Sequence, residues 1–281
     1  MGKFWSLLFL LIPILGVWVF IAAIADLWPF CEGPYGFGND YWFPEDISRD
    51  GFVIDGLFNF IMYLTGAIFI GTGFAMFFFL WKYDAASNRD SVKFMHGSHT
   101  LEVIWSILPA ATLLFIAIYQ MDTWAGNKVT RPALLPGIDG IVGTADDTAE
   151  IQVTGRQFEW RIQYAGKDRI LGTPDDLYTV NELHLPVDEE AVIAIKSMDV
   201  LHSFFLPNVR LKHDLVPGMK QYVWFTPEKE GTYDIVCAEL CGWGHYKMKG
   251  RMTVESREDY EAWLAQKMEE QNLAEFVAAS E

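Results

Sequence analysis

The chain has 281 residues, 51% of them hydrophobic, and a net charge of −16. So acidic a surface repels polyanions, which excludes nucleic acid as a partner and favours a cationic one. With three cysteines, one thiol is left over however the other two are used, and Cys31 stands apart from the later pair.

The apolar residues crowd toward the N-terminus. Phe4 to Ala25, Leu57 to Trp81 and Val103 to Gln120 carry no charge, and each approaches the ~20 residues that cross a bilayer as a helix. The first run, within residues 1–28, reads either as a secretory signal ending in small residues or as an extra transmembrane helix. Residues 29–56 form an acid-rich external loop, 57–82 a transmembrane helix, 83–101 a loop carrying Arg89 and Lys93, and 102–122 a further transmembrane helix. Basic loops stay inside, so 83–101 is expected in the cytoplasm. Everything after residue 122 then lies outside, as in a multi-pass protein of the cell (inner) membrane whose C-terminal part is periplasmic. Most of the net negative charge falls in that outer part.

Several residues in the membrane portion admit two readings. Gly66, Gly71 and Gly73 either let a neighbouring helix approach closely or merely face lipid. His96 and His99 fall in a short polar loop, where solvated histidines are commoner than metal ligands. Glu102 opens the third helix, suiting the positive end of its dipole. At a membrane boundary it is also a proton-path candidate. Pro109 should kink that helix early.

From about Glu150 the pattern changes to short β-rich runs, at 151–154, 158–164, 191–195, 221–225 and 232–237, separated by Gly, Pro and Asp turns. Such spacing predicts an antiparallel sandwich or barrel over residues 123–256. In the segment 257–281, Tyr260, Trp263, Leu264 and Met268 recur at helical spacing and predict a short C-terminal helix. One motif repeats: Gly137 to Asp147 returns as Gly166 to Asp176. Asp139, Asp146 and Asp147, then Asp168, Asp175 and Asp176, could supply oxygens to calcium. The simpler reading is a pair of Asx and Gly turns.

The densest chemistry lies at Cys237-Ala-Glu-Leu-Cys-Gly-Trp-Gly-His-Tyr-Lys-Met248. Cys237, Cys241, His245 and Met248 are soft donors beside Glu239, and such a set selects copper over hard cations. A mononuclear blue site uses one Cys, so the second points to two coppers bridged by both sulfurs, with His202 as the further imidazole. A disulfide would leave His245 and Met248 unexplained, and zinc has little use for a thioether. A loop of this kind at the end of a β-sandwich is the cupredoxin arrangement. The fold expected is N-terminal transmembrane helices plus an all-β cupredoxin-like sandwich and a short C-terminal helix.

Leu101-Glu-Val-Ile-Trp-Ser-Ile-Leu-Pro109, His202-Ser-Phe-Phe-Leu-Pro, Lys212-His-Asp-Leu-Val-Pro-Gly218 and the loop from Cys237 resemble, in order and spacing, subunit II of cytochrome c oxidase. The resemblance implies a binuclear CuA centre with Cys237 and Cys241 bridging, His202 and His245 terminal, and Met248 and the Glu239 carbonyl axial. It implies magnesium on the Glu239 side chain, shared with a haem-bearing subunit I, and a proton-uptake role for Glu102. Single electrons would come from an external cytochrome c or similar small carrier and pass to haem in subunit I, where oxygen is reduced to water. Other oxidase subunits would complete the complex. The copper subunit of a nitric oxide reductase and a membrane-tethered copper-binding module are the alternatives. One position departs from the family's pattern: Phe158 stands where its electron-accepting Trp is expected, leaving Phe158, Trp160 and Trp243 as candidates for electron uptake.

Overall fold

The computed structural model describes residues 2–24, 43–83, 94, 96–130, 132–135 and 149–280, with side chains as far as 272. Cys31 and the first copy of the repeat, with Asp139, Asp146 and Asp147, lie outside the described residues. Two compact units are present: residues 1–44 with 55–122, and residues 45–54 with 123–281.

The uncharged runs are helical: α1 (Gly2–Ile24), α2 (Gly51–Lys82) and α3 (His99–Tyr119), with α4 (Met121–Lys128) continuing beyond α3. Three stretches are long and apolar enough to cross a membrane, Lys3–Ala22, Gly51–Lys82 and His99–Lys128. Helix α2 begins before the expected Leu57 and takes in Asp55. Its 32 residues outrun the ~30 Å hydrocarbon core at ~1.5 Å per residue. Hydropathy marks only the part of a helix that lipid covers, and nothing in residues 51–56 breaks the helix beyond it.

Two of the three glycines in α2 are helix contacts. A Cβ on Gly73 would meet Pro13 of α1 at 3.0 Å, and one on Gly66 would meet Phe20 at 3.5 Å, whereas Gly71 faces open space. On α2, Phe60 meets Phe115 of α3 edge-on, with centroids 6.0 Å apart. Ser98 caps α3 by accepting from the Leu101 amide, and Glu102 in its first turn lies 3.9 Å from exposed His99.

The outer unit is a two-sheet sandwich. Its strands are β1 (Ile151–Arg156), β2 (Glu159–Tyr164), β3 (Leu177–Val180), β4 (Glu182–Pro186), β5 (Ala191–Ser197), β6 (His202–Leu206), β7 (Leu211–Leu215), β8 (Gln221–Phe225), β9 (Gly231–Cys237) and β10 (Lys249–Glu255). One sheet runs β3-β2-β1-β5-β8, the other β4-β10-β9-β6-β7. The purely antiparallel expectation needs correction, since β1 pairs parallel with β5 and β10 with β4. Crossovers too distant for a hairpin signal produce those pairs.

Alternation explains the core. Val153, Ile162, Ile193, Ile195, Leu183, Leu185, Phe204, Ile235 and Met252 point between the sheets and are buried, each such side chain contributing ~1.5–3 kcal/mol of hydrophobic stabilisation. The C-terminal helix α5 (Arg257–Ser280) docks on this sandwich through Trp263, which stacks on His184 at 3.8 Å and 7°. His184 is fixed in turn by Glu255 Oε1, 2.7 Å from its Nδ1.

Candidate metal centre

Strand pairing converts two distant pieces of sequence into one site. Cys237 ends β9 and Lys249 begins β10, so the connecting loop is held at both feet, and the Cys237 amide donates to the Met248 carbonyl at 3.2 Å. Strand β6 pairs with β9 in a register that sets Phe204 opposite Cys237, and the Ala238 amide donates to the Ser203 carbonyl at 3.1 Å. His202, at the head of β6, therefore arrives beside Cys237. Gly155 of β1 makes room for the imidazole: a Cβ there would lie 2.9 Å from His202 Cδ2.

The donors converge. Cys237 Sγ lies 4.0 Å from His202 Nδ1, 3.8 Å from Cys241 Sγ and 3.3 Å from the Glu239 carbonyl oxygen. Cys241 Sγ is 3.6 Å from His245 Nδ1 and 3.8 Å from Met248 Sδ. Both thiols are free, so the disulfide reading falls. His202, Cys237, Cys241 and Met248 are all buried. His245 is half-exposed. Among the described residues, His202, Cys237 and Cys241 form the one close group of at least three metal-competent side chains.

The electrostatics follow from crowding. Burial alone would raise the Cys237 thiol, but hydrogen bonds with His202, the backbone at Ser203 and Glu239, and His245 outweigh it and bring the thiol below its usual range. Burial, and next the neighbouring Cys237, push Cys241 the other way. Two anions this close are costly without a cation, which is the condition a bridging metal pair relieves. Burial opposes protonation of His202, yet Cys237 and Asp199 together hold its pKa above the ordinary histidine value.

Sequence reasoning missed the supports. Asp199 Oδ1 lies 2.8 Å from His202 Nε2, the ring nitrogen turned away from the sulfurs, while Asp199 Oδ2 accepts from the Gln157 amide at 2.8 Å. Gln157 Nε2 donates to the Cys241 carbonyl at 2.5 Å. One carboxylate thus fixes the imidazole of His202 and one side-chain amide the backbone at Cys241, and a carboxylate behind a ligating histidine commonly plays that part. The acid three residues before His202 was the available signal.

The three aromatic candidates separate. Trp160 is fully buried, edge-on to His202 and Phe204 with centroids 6.2 and 5.4 Å away, so it is a core residue that no external carrier meets. Phe158 is half-buried beneath the loop, and a Cβ on Gly244 would fall 2.5 Å from its Cδ2. Trp243 is 82% exposed and meets Phe158 edge-on at 5.2 Å.

The second Asp-rich loop is organised by its own hydrogen bonds. Asp168 Oδ1 accepts from the Ile170 amide at 2.9 Å, and Asp175 Oδ1 from Thr173 Oγ1 at 2.6 Å. Buried Asp176 accepts from the Gly172 amide at 2.6 Å and from Gln163 Nε2 at 2.5 Å. This is the turn reading, and the calcium expectation for Asp168, Asp175 and Asp176 finds no support in it.

Comparison with known proteins gives the family. Residues 150–256 match the family described as cytochrome C oxidase subunit II, periplasmic domain, and residues 40–123 its transmembrane domain. The alternative cytochrome c oxidase subunit 2 of Bradyrhizobium diazoefficiens is 30% identical over 247 residues, covering 80% of this chain and 84% of the relative. Cytochrome c oxidase subunit 2 of Thermostichus vulcanus is 26% identical over 291 residues, covering 86% and 85%. Among solved structures, the periplasmic domain of cytochrome oxidase subunit II from Bradyrhizobium japonicum is 25% identical, with 46% of this chain and 99% of that one covered and a TM-score of 0.39.

Proposed function

Because the chain belongs to the cytochrome c oxidase subunit II family, the subunit through which electrons reach a haem-copper oxidase, we propose that Cys237, Cys241, His202, His245, Met248 and the Glu239 carbonyl hold its copper pair. The observation that carries this is the convergence of both thiols with His202 and Met248 in a buried, hydrogen-bonded pocket. When bound, the copper pair takes up and passes on one electron at a time.

The chain's own residues supply the rest. Cys237 and Cys241 would hold the pair through sulfur. Asp199 fixes the imidazole of His202, and Gln157 fixes the backbone at Cys241. The burial of Met248 keeps water from that side. A loop anchored on β9 and β10 changes little in shape when its charge changes, which favours fast electron transfer. The half-buried Glu239 side chain stays available for magnesium at a boundary with subunit I, and Glu102 at the head of α3 is suited to proton uptake. The basic loop 83–101 supports a cytoplasmic side there and an outer side for the sandwich. A cytochrome c or similar cationic carrier suits the acidic outer surface.

Metal analysis and paramagnetic resonance of the purified copper-loaded chain test the ligand set. Two coppers per chain, with a spectrum split equally by both nuclei, are expected; a single copper, or zinc in its place, overturns it.

A further inference from the structure

Resting on that reading, we propose that Trp243, held out from the metal loop on the ring of Phe158, is the docking anchor and the electron-accepting contact for a cationic one-electron carrier. Four observations converge on it. Trp243 stands between two proposed metal ligands, Cys241 and His245, so its backbone is continuous with both. At 82% exposed it is the most open aromatic of the sandwich, and Leu240 and Tyr246 of the same loop are 76% and 67% exposed. An exposed apolar and aromatic patch on an otherwise charged domain marks a contact surface, and Trp is the side chain most enriched where binding energy concentrates.

The third observation is the platform. Gly242 and Gly244 flank Trp243, and a Cβ on either would run into Phe158, at 3.2 and 2.5 Å. These glycines let the Phe158 ring lie against the loop backbone, so the indole projects from a supported base. Phe158, at the position expected to accept electrons, underlies the contact here and does not form it.

Charge supplies the fourth and names the occupant. The net charge of −16 falls mostly on the outer residues, so long-range attraction favours a basic protein, with Trp243 and its neighbours giving the short-range apolar contact. The step is a plain electron transfer. The reduced carrier loses one electron, the metal centre gains one, and no bond or proton moves.

Docking and transfer are tested separately. Binding of oxidised cytochrome c with a basic surface to the metal-free full-length chain in detergent reads docking alone. Trp243→Ala should weaken it about tenfold or more without altering its dependence on salt, and Trp243→Phe should recover most of the loss. In the intact oxidase, Trp243→Ala should slow reduction by reduced cytochrome c to a similar degree, while the copper spectrum and electron transfer onward after photoreduction stay unchanged. Unchanged docking and unchanged reduction by the carrier in Trp243→Ala would overturn the proposal. So would loss of the haem-bearing subunit on purification, since that would make the patch a subunit interface. Absence of a copper pair from the unsubstituted oxidase would instead overturn the ligand reading, leaving the docking result to stand by itself.

Discussion

Cys237–Met248 and Gly166–Asp176 are both loops of the sandwich dense in metal-competent side chains, and the fold treats them oppositely. In the first, Cys237, Cys241 and Met248 turn inward on one another and meet His202 from another strand. In the second, Asp168, Asp175 and Asp176 turn onto their own loop, where amides and the Thr173 hydroxyl engage them; the Thr173 hydroxyl, first among the causes, keeps the Asp175 carboxyl below its ordinary range. Counting donors does not separate these loops. What separates them is whether the donors' lone pairs are already used. Sulfur is a weaker partner than oxygen for backbone groups, and both thiols lie close to each other and to an imidazole nitrogen, whereas carboxylates in Gly-rich turns cap their own chain.

The largest expected effect falls on the first loop. On the proposed ligand set Cys241→Ser would remove a bridging sulfur and should abolish the binuclear centre, with copper per chain falling below two and the paired splitting gone from the resonance spectrum; retention of both coppers would disprove the bridge. Asp176→Ala should act on the fold alone. It takes the carboxylate acceptor from the Gly172 amide and from Gln163 Nε2, both part-buried contacts, costing ~1–3 kcal/mol in thermal or denaturant unfolding, with copper content untouched. Loss of copper in that variant would break the distinction between the loops. Met248→Leu conserves volume and should cost less than ~1.5 kcal/mol, keeping both coppers while shifting the reduction potential, as voltammetry would show. Smallest of all, millimolar calcium should leave the unfolding temperature unmoved. A tightly held ion at a hundred times its Kd would stabilise by ~2.7 kcal/mol, so a clear rise would restore the calcium reading at this loop.

The donor cluster was legible because its donors are local in sequence, five of them between Cys237 and Met248. The membrane helices were legible because lipid demands unbroken apolar runs, as α1 to α3 display. Gln157 and the seat of Phe158 were not, because their partners are distant in sequence; Asp199 left only the signal of an acid three residues before His202. A Gln that reaches the Cys241 carbonyl looks, in sequence, like any surface Gln. Likewise the sequence leaves Trp160 either a core residue or a ring for electron uptake, and strand β2 turns it into the core. The parallel pairs were hidden for the same reason: long crossovers leave no hairpin signature.

The attachment of the metal loop to both β9 and β10, with His202 delivered by β6, also sets an order of assembly. Strands β9 and β10 are neighbours in the chain, and a connection of about ten residues closes in ~10–100 ns, so Cys237, Cys241, His245 and Met248 can come together as a local hairpin. His202 joins only when β6 pairs with β9, with its imidazole against Gly155 of β1. That imidazole is withheld until β6 has paired with β9, so on the proposed ligand set full copper uptake during refolding should trail hairpin formation and coincide with completion of that sheet. The metal would then certify a finished sheet.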